Sequence, residues 1–178
     1  FGMAMSWYRY FLAQDPKFGG SAVTPASYER LWEQSLEQYA TVIATDNPDL
    51  SGFRDRGGKA IVWHGWADQL ITAEGSIDYY NRLTQFMGGA ERTRQFLRLL
   101  MAPGVGHRGG GTGPAPTGQL EALLAWVEEG KAPDTLKASR AVGAVTRTRP
   151  LCQYPLVAKY RGTGSTDGAA NFVCSAGL

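Results

Sequence analysis

Three residues that can carry acid–base chemistry follow two short apolar segments of this 178-residue sequence. His64 and Asp68 lie in VWHGWADQLI, and His107 lies in APGVGHRGGGTGP. A carboxylate that accepts a hydrogen bond from Nδ1 of an imidazole fixes its tautomer and stabilises the imidazolium that forms when Nε2 takes a proton from a nucleophile. Asp68 and His107 are therefore the candidate catalytic acid and base.

The segments around these residues predict alternating strands and helices. Residues 59–64 and 95–101 are short apolar runs, and each is followed by a helical pattern, over 73–87 and 117–130. The apolar residues of the two helical patterns are Ile77, Tyr80, Leu83 and Met87 in the first and Leu120, Leu123, Leu124 and Val127 in the second. A βαβα order predicts an α/β fold with a parallel sheet covered on both faces. Because two strands do not make such a sheet alone, we expect further strands outside this chain.

Parallel strands place their carboxyl ends at the same edge of a sheet, where ligands bind. Asp68 follows the first strand and His107 follows the second, so we expect the two side chains to touch. His64 belongs to the end of the first strand, and we interpret it as structural. The glycines around His107 would allow a sharp turn and a close approach to a substrate; they are Gly104, Gly106, Gly109, Gly110 and Gly111.

A serine nucleophile is not found at the expected place. In α/β-hydrolases the triad order is Ser, Asp or Glu, then His, with the serine in a G-x-S-x-G turn. None of the chain's serines lies in that motif upstream of Asp68. We therefore predict that the nucleophile lies outside this chain. The glycine-rich GHRGGGTG could suggest a phosphate site, but it lacks the lysine of a P-loop.

Composition and charge exclude several classes of function. Hydrophobic residues make up 43% and charged residues 19%, as in globular proteins. A net charge of +2 without a basic run favours binding neither to nucleic acid nor to a membrane surface.

Two segments outside the βαβα region also have recognisable patterns. Residues 24–44 predict a helix with Thr24 as N-cap, and residues 45–58 predict a linker. Cys152 and Cys174 flank an irregular tail; they form either a disulfide, which would indicate a secreted or periplasmic protein, or two unpaired core thiols.

Four ordered blocks carry a family resemblance. They read GGKAIVWHGWADQLITAEGSIDYYNRL, LLMAPGVGHRGGGTGP, LLAWVEEGKAPDTLKASR and RTRPLCQYPLVAKYRGTGSTDGAANFVC. Together, over about residues 45–174, they resemble the carboxyl-terminal part of the tannase and feruloyl esterase family. The resemblance implies an α/β-hydrolase fold, with residues 46–178 as the last part of the catalytic core and residues 1–45 as the end of an inserted lid.

The resemblance also assigns residues. The family's triad acid matches Asp68, its base matches His107, and its closing disulfide matches Cys152 and Cys174. One position departs from the pattern, because Arg108 stands where the family usually has a cysteine bridged to the residue before the nucleophilic serine. We therefore expect that residue not to be cysteine here. Arg108 either binds an anionic group of the substrate or is a solvated surface residue.

The implied function is serine-type hydrolysis of esters of aromatic acids, such as ferulic or gallic acid, through an acyl-enzyme. The expected partner is the N-terminal portion of the same protein, which would carry the serine, and no nucleic acid or membrane is expected. We expect catalysis to require no cofactor or metal, and we expect any structural calcium ion to lie in the part of the lid outside this chain. Two alternatives remain: an esterase of the same fold for other esters, and a non-catalytic binding or structural relative that lacks the nucleophile.

Overall fold

The computed structural model describes residues 2–177 and divides the chain into two compact units, with the boundary after Asn47. The first unit is helical. Its elements are α1 (Gly2–Trp7), a π-helical turn (Tyr8–Leu12), a 3-10 turn (Gly20–Ala22) and α2 (Pro25–Ile43). The predicted start of α2 is confirmed, because Thr24 is its N-cap and exchanges capping hydrogen bonds with Ser27. No helix within residues 2–177 is long and apolar enough to cross a membrane.

An aromatic cluster joins the ends of the first unit. The ring of Trp7 stacks on Phe11 at 4.6 Å and meets the edge of Tyr39 at 5.0 Å between ring centroids. Two hydrogen bonds fix this packing, from Trp7 Nε1 to Ser35 Oγ (2.9 Å) and from the Tyr39 hydroxyl to the carbonyl of Phe11 (2.8 Å). Offset aromatic pairs with satisfied polar atoms of this kind hold short helices in place.

The second unit contains both strands and helices. Its helices are α3 (Ser51–Asp55), α4 (Ala73–Phe86), α5 (Ala90–Arg94) and α6 (Gln119–Glu129). Its strands are β1 (Ala60–Gly65), β2 (Leu97–Ala102), β3 (Ala115–Thr117), β4 (Thr135–Val142), β5 (Val145–Cys152), β6 (Leu156–Tyr160) and β7 (Phe172–Ala176). The predicted strand, helix, strand and helix between residues 59 and 130 are confirmed as β1, α4, β2 and α6, and the short elements α5 and β3 lie between them in addition.

Strands β1 and β2 pair in parallel over their whole length, from Ala60 opposite Leu97 to Gly65 opposite Ala102. Alternate residues of β2 face two separate cores. Leu99 packs with Leu83 of α4 on one face, and Leu100 packs with Leu136 of β4 on the other. The parallel pair is therefore covered on both faces, as the sequence predicts.

The predicted apolar face of α6 is not the face that is buried within the described residues. Leu120, Leu124 and Val127 are exposed there and Leu123 is half-buried, whereas Trp126 is 3% exposed. The buried indole lies below the guanidinium of Arg98, 5.2 Å from the ring centroid. A cation held against an aromatic face selects Trp126 rather than the leucine stripe as the inner residue of this helix.

The segment between Cys152 and Cys174 is also more regular than predicted, because it contains β6 and the start of β7, which pair antiparallel. Strands β3, β4 and β5 form an antiparallel sheet, and β6 pairs with β7. Strands β4 and β5 form a hairpin whose last pair is Val142 with Val145, so that Gly143, with φ of 60°, begins a two-residue turn. A disulfide between Cys152 and Cys174 joins β5 to β7, which resolves the two alternatives for these cysteines.

Candidate active site

Two loops that follow β1 and β2 meet at Gly65. A Cβ atom at this position would lie 2.1 Å from the carbonyl oxygen of Val105, so a side chain there would push the loops apart. Backbone hydrogen bonds then join the two loops, from Trp66 N–H to Ala102 O and from Ala67 N–H to Val105 O, both 3.0 Å. This close approach brings the segment that carries Asp68 beside the segment that carries His107.

The predicted pair is in contact. Oδ2 of Asp68 lies 2.9 Å from Nδ1 of His107, and the Asp68 side chain is only 6% exposed. The backbone N–H of His107 also points to Oε1 of Gln69, at 3.5 Å. Because an ionised carboxylate only accepts hydrogen bonds, Nδ1 carries the proton and Nε2 has a free lone pair.

Asp68 accepts hydrogen bonds through both of its oxygens. Oδ1 accepts from the backbone N–H groups of Leu70 (2.8 Å) and Ile71 (3.0 Å), and Oδ2 accepts from the two imidazoles. Burial alone would raise the pKa of Asp68, but the hydrogen bonds from Ile71, Leu70, His107 and His64 outweigh it and hold that pKa well below its ordinary value. Asp68 is therefore a carboxylate at neutral pH.

His107 borders an open cavity of about 330 Å³. The lining residues are Trp63, His64, Gly65, Asp68, Ile71, Gly106, His107 and Arg108. Among residues 2–177, no hydrogen-bond partner lies at Nε2 of His107. A base with a fixed tautomer and a free nitrogen at a cavity can take a proton from a hydroxyl group placed there.

The glycine-rich turn around His107 behaves as expected. Four of its glycines have positive φ, namely Gly104, Gly109, Gly110 and Gly111. Arg108 has φ of 60°, which is uncommon for a residue with a side chain. Its exposed side chain lines the same cavity as His107. The structure therefore places a cation next to the candidate base, although its role stays a prediction.

His64 lies at the end of β1 as predicted, but the sequence analysis did not foresee its side-chain contacts. Its Nε2 lies 3.1 Å from Oδ2 of Asp68 and 3.2 Å from the carbonyl oxygen of Ile71, and its Nδ1 lies 2.7 Å from Oγ of Ser76. Interpreting it only as the last part of a strand did not foresee these contacts. The signal was available, because a histidine at a strand end can reach back to an acid in the turn that follows it.

A second cavity, of about 430 Å³, lies among β2, β5 and β6. Trp66, Met101, Arg149, Tyr154 and Leu156 are among its lining residues, and neither Asp68 nor His107 is. We place the candidate site in the smaller cavity because the acid–base pair lies there. Within residues 2–177, no group of three or more His, Cys, Asp or Glu side chains could hold a metal ion. The predicted calcium ion concerns a lid segment outside this chain and stays a prediction.

The model of the tannase and feruloyl esterase family matches residues 2–175 of this chain. The chain belongs to that family. A probable feruloyl esterase of Arthroderma benhamiae is 41% identical over 180 aligned residues, covering 98% of this chain and 33% of the relative. A mono(2-hydroxyethyl) terephthalate hydrolase of Piscinibacter sakaiensis is 46% identical over 132 residues, covering 72% of this chain and 21% of that protein.

Solved structures agree with this family membership. The crystal structure of an esterase from Aspergillus oryzae superposes with a TM-score of 0.85 at 29% identity, covering 97% of this chain and 37% of that one. The predicted α/β-hydrolase fold is confirmed. This member of the tannase and feruloyl esterase family thus spans about a third of the length of the first relative and of the Aspergillus oryzae esterase. The division into a lid over residues 1–45 and a core over 46–178 stays a prediction.

Proposed function

We propose that this chain is the acid–base part of a serine-type carboxylic ester hydrolase. The observation that carries the proposal is the 2.9 Å contact between Asp68 and Nδ1 of His107, beside a cavity and with no described residue bonded to Nε2 of His107. In this proposal Asp68 orients the imidazole and stabilises its charged form, and His107 transfers protons. The nucleophilic serine and the oxyanion hole belong to the N-terminal portion of the same protein.

The proposed reaction has two halves. His107 Nε2 takes the proton of the serine hydroxyl while the serine oxygen bonds to the ester carbonyl carbon, and the tetrahedral intermediate then collapses as His107 protonates the departing alcohol oxygen. The acyl-enzyme remains. Water attacks it with His107 again as base, and the proton returns to the serine oxygen as the free acid leaves. All of these steps use side chains of the protein and a water molecule.

The family supports esters of aromatic acids as substrates, because the Arthroderma benhamiae relative is described as a probable feruloyl esterase. Esters of hydroxycinnamic or gallic acid are therefore the first class that we propose. A second class is supported by the terephthalate hydrolase of Piscinibacter sakaiensis, whose substrate is an aromatic monoester. We further propose that residues 1–45 are the end of a lid domain. No nucleic acid or membrane partner is proposed.

The disulfide between Cys152 and Cys174 supports secretion or a periplasmic location, because such bonds persist in oxidising compartments. Fractionation of the native host, with the full-length protein followed by antibody, tests this part of the proposal. We expect the protein in the medium or the periplasm, with no free thiol at either cysteine. A reduced protein in the cytosol would contradict it.

Labelling with a fluorophosphonate probe tests the enzyme class. The full-length protein should take up one equivalent on a serine outside residues 1–178, and the His107→Ala variant should label far more slowly. A correctly folded protein without label would support a non-catalytic binding or structural relative instead. A panel of feruloyl, galloyl, terephthaloyl and short alkyl esters would then rank the substrate classes by kcat/KM.

A further inference from the structure

The carboxylate of Asp68 lies between two imidazoles. His107 and His64 both approach the same oxygen, Oδ2, at 2.9 and 3.1 Å. Oδ1 is occupied by two backbone N–H groups, so each oxygen of Asp68 accepts two hydrogen bonds. The side chains of Asp68 and His64 are 6% and 13% exposed, so little water competes for these contacts.

The protonation of His64 follows from its neighbours. Its Nε2 faces two acceptors that cannot donate, the ionised carboxylate of Asp68 and the backbone carbonyl of Ile71. The proton must therefore sit on Nε2. Nδ1 lies 2.7 Å from the hydroxyl of Ser76 in the first turns of α4. A serine hydroxyl can donate to Nδ1, so this contact fits a His64 whose Nε2–H donates to Asp68.

We propose that His64, oriented by its contact with Ser76, is a positioning residue for the proposed ester hydrolysis. It acts by donating a second hydrogen bond to the oxygen of Asp68 that binds His107. This inference rests on the proposed function, and it assigns the residue a role beyond the strand that contains it. His64 does not touch the reacting atoms.

The physical reason is that two donors share the negative charge of one oxygen. If His64 were absent, Oδ2 would attract the imidazolium of His107 more strongly, and His107 would give its proton less readily to the departing alcohol. The carboxylate would also lose one of the four hydrogen bonds that fix its plane.

The titratable groups that face this site are few. His64 comes from β1, Asp68 from the turn after β1, and His107 and Arg108 from the glycine-rich turn; all four line the cavity. The contribution of α4 is the uncharged hydroxyl of Ser76. If replacing His64 changes the pH–rate profile, the cause must therefore be either its contact with Asp68 or an effect on the charge of Arg108. A second variant at Arg108 separates these two causes.

Ser76, His64 and Asp68 also have the connectivity of a Ser–His–Asp triad. Ser76 is half-buried in α4, however, and it is not among the residues that line the cavity. We therefore assign it an orienting role rather than a nucleophilic one. The fluorophosphonate probe separates these roles, because Ser76→Ala should keep the label on the full-length protein. Loss of the label in Ser76→Ala, with Ser139→Ala unaffected, would overturn this assignment.

The decisive variants are His64→Gln and His64→Leu in the full-length protein. Glutamine places an amide N–H near the position of Nε2, whereas leucine has similar bulk and no donor. We expect His64→Leu to lower kcat by about tenfold or more with KM within about twofold, and to move the acidic limb of the pH–rate profile to higher pH. His64→Gln should keep most of the wild-type kcat and the acidic limb at its wild-type pH. Thermal unfolding of each variant checks that it is folded.

Three results would overturn the proposal. The first is unchanged kinetics in His64→Leu, and the second is an equal loss of kcat in both variants with an unmoved acidic limb. The third is an acidic limb that moves in His64→Leu only when Arg108 is present. Failure of the proposed function looks different, because the wild-type protein would then neither hydrolyse esters nor take up the probe. In that case an NMR titration of the His107 imidazole still tests the role of His64. The midpoint of this titration should shift to higher pH in His64→Leu and should not shift in His64→Gln. If the two variants titrate alike, the proposal is contradicted.

Discussion

Oδ2 of Asp68 and Nδ1 of His107 lie 2.9 Å apart although 39 positions separate the two residues in the sequence. The parallel pairing of β1 with β2 brings their carboxyl ends together, and the loops then close on each other across Gly65. The contact is therefore a product of the sheet and not of the loops alone. Its consequences can be tested residue by residue.

Asp68→Asn should leave the fold intact and lower kcat of the full-length protein by about 10³-fold or more, with little change in KM. The amide can offer a hydrogen where His107 needs an acceptor, so that the imidazole turns to the wrong tautomer. Steady-state kinetics with a feruloyl ester would measure the loss. Asp78→Asn is the matched control, because Asp78 is an exposed residue of α4 paired with Arg82. Retention of more than about a tenth of kcat in Asp68→Asn would contradict the assignment.

Asp68 should also make stability depend on acidic pH. Its pKa in the folded protein is held below the ordinary value of 3.8, so its contribution is fully present above about pH 4. That contribution is lost as the pH falls below this value and the unfolded state takes up the proton first. The free energy of unfolding of the wild type minus that of Asp68→Asn should therefore decrease on acidification. A difference that is constant from neutral to strongly acidic pH would count against these hydrogen bonds.

Sequence patterns predict the parallel core well because hydrophobic periodicity and chain order decide it. The run KAIVWH becomes β1, and the turn residues after it reach the sheet edge, as Asp68 does. The same sequence patterns predict less well which residues pack around this core. Leu120 and Leu124 follow helical spacing, yet Trp126 is the buried residue, because its contact with the guanidinium of Arg98 is a tertiary feature that periodicity does not encode.

The tail and His64 were missed for different reasons. The segment between the two cysteines has the glycines of a loop, but β6 in it pairs with β7, from Leu156 opposite Ala176 to Tyr160 opposite Phe172, and this pairing joins residues that are distant in the sequence. For His64 the pattern gave its strand position and not its side-chain partner, since that contact depends on how the chain bends back between residues 65 and 68. Side-chain contacts across a turn need the turn geometry, which spacing alone does not supply.

Gly65→Ala should disrupt the close packing of the loops that follow β1 and β2. Its Cβ would lie 2.1 Å from the carbonyl oxygen of Val105, which is backbone and cannot swing aside. We expect a loss of about 2 kcal/mol or more in the free energy of unfolding and a strong loss of fluorophosphonate labelling. Gly75→Ala is the control, because its nearest atom would be Thr72 Oγ1 at 3.8 Å and alanine favours the helix by up to about 1 kcal/mol. Equal stability of the two variants would refute this prediction.

Removing the disulfide should cost stability without touching the site. The bond between Cys152 and Cys174 closes a loop with a sequence separation of 22 residues, for which loop entropy gives about 3 kcal/mol. Denaturant unfolding of the Cys152→Ser, Cys174→Ser double variant would measure the loss. A reducing agent should destabilise the wild type by a similar amount and leave the double variant unchanged. A reductant effect on the double variant would indicate a cause other than this bond.

Arg108 should discriminate substrates by charge. It lines the cavity beside His107 with an exposed guanidinium, so it can reach a carboxylate carried by the acyl ring of a substrate. We expect Arg108→Ala to raise KM by about fivefold for an aromatic ester with a free carboxylate and to leave KM unchanged for the matched neutral methyl ester, because exposed ion pairs are weak. The difference should shrink at high salt, where such pairs are screened. Arg161→Ala serves as the control for an exposed arginine outside the cavity. If both esters respond equally to Arg108→Ala, Arg108 is a solvated turn residue, and the specificity of this site comes from elsewhere in the full-length protein.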